Sequence, residues 1–253
     1  MTDGKKIYFI SDVHLGAPAL NNNREREQLF AEWLDYIKDD AAELYLLGDI
    51  FDFWFEYRKV VPRGFTRILG RLADMTDRGI PVHFFAGNHD LWVFDYLPGE
   101  VGLIIHPNEF VTDLMGKKFY LAHGDGLDPE DKGYLFLKKI FSSKTLQWIF
   151  ARLHPNFAFH IAHQWSKSSR LSKMERSKEF DIRNENMFKF AAGYLEKERI
   201  DYFIFGHRHR MADLEIKNNA RLILLGDWIT NFSYGVFNGE RVTLTTFNGL
   251  GNS

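Results

Sequence analysis

Short runs of consecutive apolar residues, each followed at once by polar ones, punctuate the first half of the chain: KIYFIS, ELYLLG, PVHFFAG and KFYLAHG. Their near-continuous apolar character predicts strands buried on both faces of a sheet, because a half-exposed strand alternates. Between them lie REREQLFAEWLDYIKDD and GFTRILGRLADMTDRG, whose apolar positions recur at helical spacing. YFIFGH and RLILLG continue the strand pattern, and YGVFNGERVTLTTF reads as a hairpin with an Asn-Gly turn. The succession predicts an α/β fold with a partly parallel sheet and an antiparallel C-terminal part.

Composition narrows this picture. With 253 residues, 45% of them hydrophobic, the chain buries a full core and suits one large domain carrying an elaboration. A net charge of −2 gives no general pull toward nucleic acid or membrane. Cysteine is absent, which excludes disulfides and thiolate metal sites and fits a reducing cytoplasm. The first strand starts within a few residues of Met1, leaving no room for a signal peptide, and no apolar run approaches the roughly 18 residues of a membrane span. A cytoplasmic location is the expectation.

The ends of the strands carry the chemistry. Five apolar runs are followed by metal-competent residues: Asp12 and His14 in SDVHLG, Asp49 and Asp52 in GDIFD, Asn88, His89 and Asp90 in GNHD, His123 and Asp125 in HGD, and His207 and His209 in GHRHR. Taken singly, a Gly-Asp after a strand is a turn or a helix cap. All five in succession are another matter, because ligands gather outside the carboxyl ends of strands in open α/β sheets. Several carboxylates and imidazoles with one side-chain amide are too many donors for one tetrahedral zinc and suit two ions of higher coordination. The mixed N/O set without sulfur fits Mn, Fe, Zn or Co. Two ions about 3.5–4 Å apart clamp the attacking and leaving oxygens of a phosphoryl transfer and activate water near neutral pH. Hydrolysis of a phosphate ester or anhydride is therefore the expected reaction.

As a set, SDVHLG, GDIFD, GNHD, HGD and GHRHR resemble the five-block signature of the calcineurin-like metallophosphoesterases. The resemblance implies a four-layer sandwich of two mixed β-sheets flanked by helices, with two metal ions at the loop ends. It implies that Asp12, His14 and His209 hold one ion, that Asn88, His123 and His207 hold the other, and that Asp49 bridges them. His89 then contacts the scissile phosphate and protonates the leaving oxygen, and Asp52 pairs with it and fixes its orientation. Asp90 and Asp125 are expected to be loop or supporting hydrogen-bonding groups, and His83 and His106 structural ones.

Between HGD and GHRHR the chain inserts a helical-looking segment, which places a cap over residues 127–198 of a single domain spanning 1–253. From Lys132 to Lys178, ten lysines and arginines stand against one glutamate, Glu175, among many aromatics. Basic amphipathic helices with Trp and Phe suit an anionic substrate with an apolar part, or an anionic membrane surface, better than nucleic acid. SDVHLGAP, LLGDIFDFW, GNHDLW, HGDGLDPEDKGY, SKSSRLSK and LGDW together resemble the UDP-2,3-diacylglucosamine hydrolase family. That resemblance implies cleavage of the substrate's pyrophosphate by metal-activated hydroxide, usually with Mn²⁺, giving UMP and 2,3-diacylglucosamine 1-phosphate in lipid A biosynthesis. It implies substrate contacts from Asn88, His89, Asp131, Tyr134, Ser166, Arg170 and Lys173. The best-known branch of that family reads GNRD, whereas this chain has His89, and Arg170 replaces an amide of the cap motif. The alternatives are an enzyme for nucleotides or other phosphodiesters, and a non-catalytic binding scaffold on the same fold.

Overall fold

The computed structural model describes residues 4–20, 22–127, 132–162, 164, 183 and 185–250. The first sheet is built on four parallel strands, β1 (Lys6–Ile10), β2 (Ala41–Leu47), β3 (Val82–Phe85) and β4 (Ile104–His106). The antiparallel hairpin β10 (Ser233–Phe237) and β11 (Val242–Thr246) extends it beyond β1. In the second sheet, β6 (Lys117–Ala122), β7 (Tyr202–Phe205) and β9 (Arg221–Leu225) run parallel. Antiparallel edge strands β5 (Phe110–Leu114) and β8 (Met211–Glu215) flank them.

The apolar runs are continuous because both faces of the central strands are covered. On β1, Ile7 and Phe9 enter the core between the sheets, while Tyr8 and Ile10 face the layer formed by α1 (Asn23–Ile37) and α2 (Thr66–Asp77). On β7, Tyr202 and Ile204 face the same intersheet core, and Phe203 and Phe205 pack outward against Met187 and Ala191 of α6 (Asn186–Tyr194). Helices, sheet, sheet and helix thus form four layers. α6, at the end of the inserted segment, belongs to the outermost of them.

The short strands β4, β5 and β8 and the short helix α3 (Tyr96–Glu100) have no counterpart in the hydrophobic pattern. The strands lie at sheet edges and are half exposed, so they lack a distinctive apolar signal. The hairpin is also longer than an Asn-Gly turn: Phe237 pairs with Val242, and Asn238 Oδ1 accepts hydrogen bonds from the N–H groups of Glu240 and Arg241.

Of the inserted segment, α4 (Lys132–Phe141), α5 (Lys144–Phe150) and a helical stretch over 155–162 are described. Neither α4 nor α5 buries a residue fully. Their aromatics divide between two directions. Phe150 meets Phe55 and Trp92 at 4.9 and 4.7 Å between ring centroids, and Phe159 meets Phe53 at 5.0 Å. Phe136, Trp148 and Phe157, by contrast, are each more than half exposed.

Candidate metal centre

The loops that follow β1, β2, β3, β6 and β7 are knitted together by backbone hydrogen bonds. Asp12 and His14 N–H groups donate to the carbonyls of Gly48 and Asp49, and the Gly206 N–H donates to the His123 carbonyl. Asp12, His14, Asp49, His207 and His209 all adopt positive φ, between 48° and 66°. Such conformations are costly for residues with a Cβ and cluster at functional sites. Gly87 has a different reason to be glycine, since its φ is not in the left-handed region. A Cβ there would overlap the Asp49 side chain and backbone, so the absent side chain lets the two loops touch.

Donor atoms of Asp12, His14 and His209 lie within 4.8 Å of one another, and so do those of Asp49, His123 and His207. A third group, His14, Asp49 and His89, joins these two. His14 Nε2 is 3.7 Å from Asp12 Oδ1 and 3.6 Å from Asp49 Oδ2, and His123 Nε2 is 3.4 Å from that same Asp49 oxygen. Asp49 therefore stands between the two outer groups. Its other oxygen accepts the backbone N–H of His89 at 2.9 Å.

The residues fit a pair of cations. Asp12 Oδ1, Asn88 Oδ1 and His123 Nε2 are buried and lack a hydrogen-bond partner, an arrangement that costs free energy unless another group fills the space between them. The field has the matching sign. Burial opposes a charge on His123, yet Asp49 and Asp12 push its pKa up to about 10, so the bare site draws in positive charge. Burial likewise opposes ionisation of Asp12 and Asp49, but the imidazoles around them hold both well below the ordinary carboxylate value. Oxygen and imidazole donors without sulfur suit borderline divalent ions.

Supporting contacts set the tautomers. His123 Nδ1 donates to the Leu47 carbonyl at 2.8 Å, which leaves Nε2 as the donor atom facing Asp49. His89 Nδ1 donates to the backbone carbonyl of Asp52 at 2.9 Å. The Asp52 carboxylate stands farther off, 3.7 Å from His89 Nδ1 and 3.5 Å from His14 Nδ1. The main chain at Asp52 thus makes the orienting hydrogen bond to His89, and the carboxylate lies between the two histidines. Burial lowers the His89 pKa despite the attraction of Asp49 and Asp52.

Asp90 is more than a loop residue. Fully buried, it accepts the N–H groups of Gly87 and Asp49 on one oxygen and those of Ile50 and Phe51 on the other. Burial beside Asp49 pushes its pKa up to about 7, and the four N–H groups are what make a carboxylate tenable there. Asp125 binds the inserted segment, accepting Tyr134 Oη at 2.5 Å and Lys138 Nζ at 2.7 Å on a single oxygen. Trp92 Nε1 adds a hydrogen bond to the Phe141 carbonyl at the end of α4. Tyr134 is therefore near the centre, its ring 6.5 Å from that of His207. Asp131, Ser166, Arg170 and Lys173 lie outside the described residues. His83 and His106 pair with each other at 2.8 Å, on β3 and β4, apart from these groups.

One participant was not singled out from the sequence. Asp227, after β9, is buried, with its Oδ2 3.4 Å from His209 Nδ1. The signal was available, because LLGDW repeats the strand-Gly-Asp pattern of LLGDI.

The calcineurin-like phosphoesterase model matches residues 5–211, a span holding β1 to β7 and all five blocks. The chain belongs to that family and is a metal-dependent hydrolase of its class. It is 39% identical, over 94% of its length and 96% of the relative's, to a UDP-2,3-diacylglucosamine hydrolase of Porphyromonas gingivalis. Proteins of the same name from Neisseria meningitidis and Histophilus somni are 32% and 30% identical over 90% and 88% of this chain and 92% of each relative.

Proposed function

We propose that this protein hydrolyses the pyrophosphate of UDP-2,3-diacylglucosamine, releasing UMP and 2,3-diacylglucosamine 1-phosphate. The observation that carries the reading is the pair of donor groups flanking Asp49, with Tyr134 and Lys138 of the basic and apolar segment bound to Asp125 beside them. The names of its relatives agree with it. Asp12, His14 and His209 would hold one ion, Asn88, His123 and His207 the other, and Asp49 both. Mn²⁺ is the ion we propose. Two divalent ions in such a site supply Lewis-acid activation of water and offset phosphate charge.

The chain's own residues account for the rest. His89 is fixed through Nδ1 by the Asp52 carbonyl, so Nε2 is the atom that meets phosphate and exchanges a proton with the leaving oxygen. Nδ1 carries the hydrogen of the neutral ring and burial lowers its pKa, so His89 would protonate the leaving oxygen through Nε2 as the imidazolium, a form that the charge of a bound phosphate would favour. The inserted segment acts as a cap for the acyl chains, anchored by Phe150 and Phe159 on the loops that carry Asp49 and His89. Its exposed Phe136, Trp148 and Phe157, with Lys139, Lys144 and Arg152 nearby, would rest on the anionic inner face of a membrane. Among the described residues no helix is long and apolar enough to cross one.

Purified protein loaded with Mn²⁺ should release UMP from the UDP-lipid far faster than it cleaves nucleotides or aryl phosphodiesters. An intact lipid beside a rapidly cleaved small diester would sink the substrate assignment while sparing the chemistry. Failure to bind divalent metal would favour a non-catalytic scaffold.

A further inference from the structure

We infer that Asp227 is a positioning residue for His209, whose imidazole it holds in the Nδ1–H tautomer so that Nε2 offers its lone pair to a divalent cation beside Asp12. The inference rests on the two-ion reading proposed above and concerns a residue outside the five motif blocks.

His209 needs such support more than His14 or His123 does. Its side chain is 32% exposed, against 2% for His14 and 1% for His123, and its backbone sits at φ 52°. Packing leaves His14 and His123 little freedom to rotate. The His209 ring is covered on one face, where it stacks on His14 at 5.1 Å between centroids. Its edge lies between two carboxylates, with Nε2 3.5 Å from Asp12 Oδ1 and Nδ1 3.4 Å from Asp227 Oδ2. A carboxylate only accepts, so once Nε2 is turned to a cation shared with Asp12, Nδ1 is left to carry the hydrogen that Asp227 accepts.

Asp227 is itself locked in place. Its Oδ1 accepts the N–H groups of Ile229, Thr230 and Asn231 at 3.2, 2.9 and 2.9 Å and Asn231 Nδ2 at 3.1 Å. That turn holds chiefly one oxygen, with the Thr230 hydroxyl 3.2 Å from it and 3.4 Å from the other, which faces the imidazole. The same loop is joined to the first motif block, for the Trp228 N–H donates to the Asp12 carbonyl at 3.1 Å, and Asn231 Nδ2 reaches the His209 carbonyl at 3.4 Å. Metal-bound histidines commonly donate their second N–H to a carboxylate, which fixes the ring and raises the basicity of the ligating nitrogen.

The test uses Asp227→Asn, whose remaining oxygen can still accept the turn N–H groups while its NH₂ faces Nδ1. Imidazole ¹⁵N NMR of the metal-free protein should show His209 protonated at Nδ1 in the wild type and shifted toward Nε2–H in the variant. In a calorimetric Mn²⁺ titration the wild type should take two ions, and the variant should bind one of them roughly 10–100-fold more weakly with the other unaffected. An unchanged tautomer with wild-type affinity at both sites would overturn the inference. So would equal weakening at both sites together with a lower Tm, which would mark Asp227 as a turn residue only. A wild type that binds no Mn²⁺ would strike the two-ion reading itself, and the inference with it.

Discussion

Replacing Asp90 with alanine tests how the centre is held together. The carboxylate collects four backbone N–H groups from two loops, Gly87 and Ile50 at 2.8 Å and Asp49 and Phe51 at 3.2 Å, at a position with no exposed surface. Each buried donor left without an acceptor costs about 1–3 kcal/mol. A water entering the vacated space can satisfy about two of them, which leaves two and brings the expected loss to about 2–6 kcal/mol. That is a large share of the roughly 5–15 kcal/mol that stabilises a typical protein. Asp90→Asn keeps one accepting oxygen but turns an NH₂ group toward two N–H groups, so it should lose about 2–3 kcal/mol. Urea unfolding of the metal-free protein, followed by its six tryptophans, measures both as shifts in midpoint at constant slope. The order should be wild type, then Asn, then Ala. An alanine variant within about 1 kcal/mol of wild type would refute the account, as would an asparagine variant as stable as wild type.

Three further outcomes are expected. His89→Ala should lower kcat by about 10²–10⁴-fold while leaving Mn²⁺ stoichiometry unchanged, because its link to Asp49 runs through the backbone N–H; loss of an ion would instead make His89 a ligand. Phe150→Ala, which removes the cap's contacts with Phe55 and Trp92, should raise KM for the UDP-lipid about tenfold, equivalent to about 1.4 kcal/mol, with little effect on a small aryl phosphodiester. Similar losses on both substrates would count against an acyl-binding cap. Acid should also weaken the fold through His106, whose pKa burial and the neighbouring His83 depress to about 4. The folded form then binds fewer protons than the unfolded one, so stability present above about pH 6.5 is lost as pH falls toward 4. Discounted for the ring's partial exposure, this amounts to about 1 kcal/mol, and it should be absent from the acid limb of His106→Phe.

The apolar runs of β1, β2, β3, β6, β7 and β9 were legible in the sequence because strands buried on both faces need nothing but apolar residues. The residues of the three candidate donor groups were legible too, since each block stands immediately after such a run, where a change from apolar to polar is conspicuous. The edge strands were not: their half-exposed positions follow no strong pattern.

The amino-acid order fixes which metal-competent residues stand at which strand ends. How each is oriented is set by folding, because the orienting groups lie far along the chain or in the main chain. His123 is held by the Leu47 carbonyl 76 residues away, His89 by the carbonyl of Asp52 with the carboxylate 3.7 Å off, and Gly87 matters for its contact with Asp49. Backbone carbonyls are the same at every position, so no residue type announces which of them will accept a hydrogen bond. That choice is made only when the two sheets close.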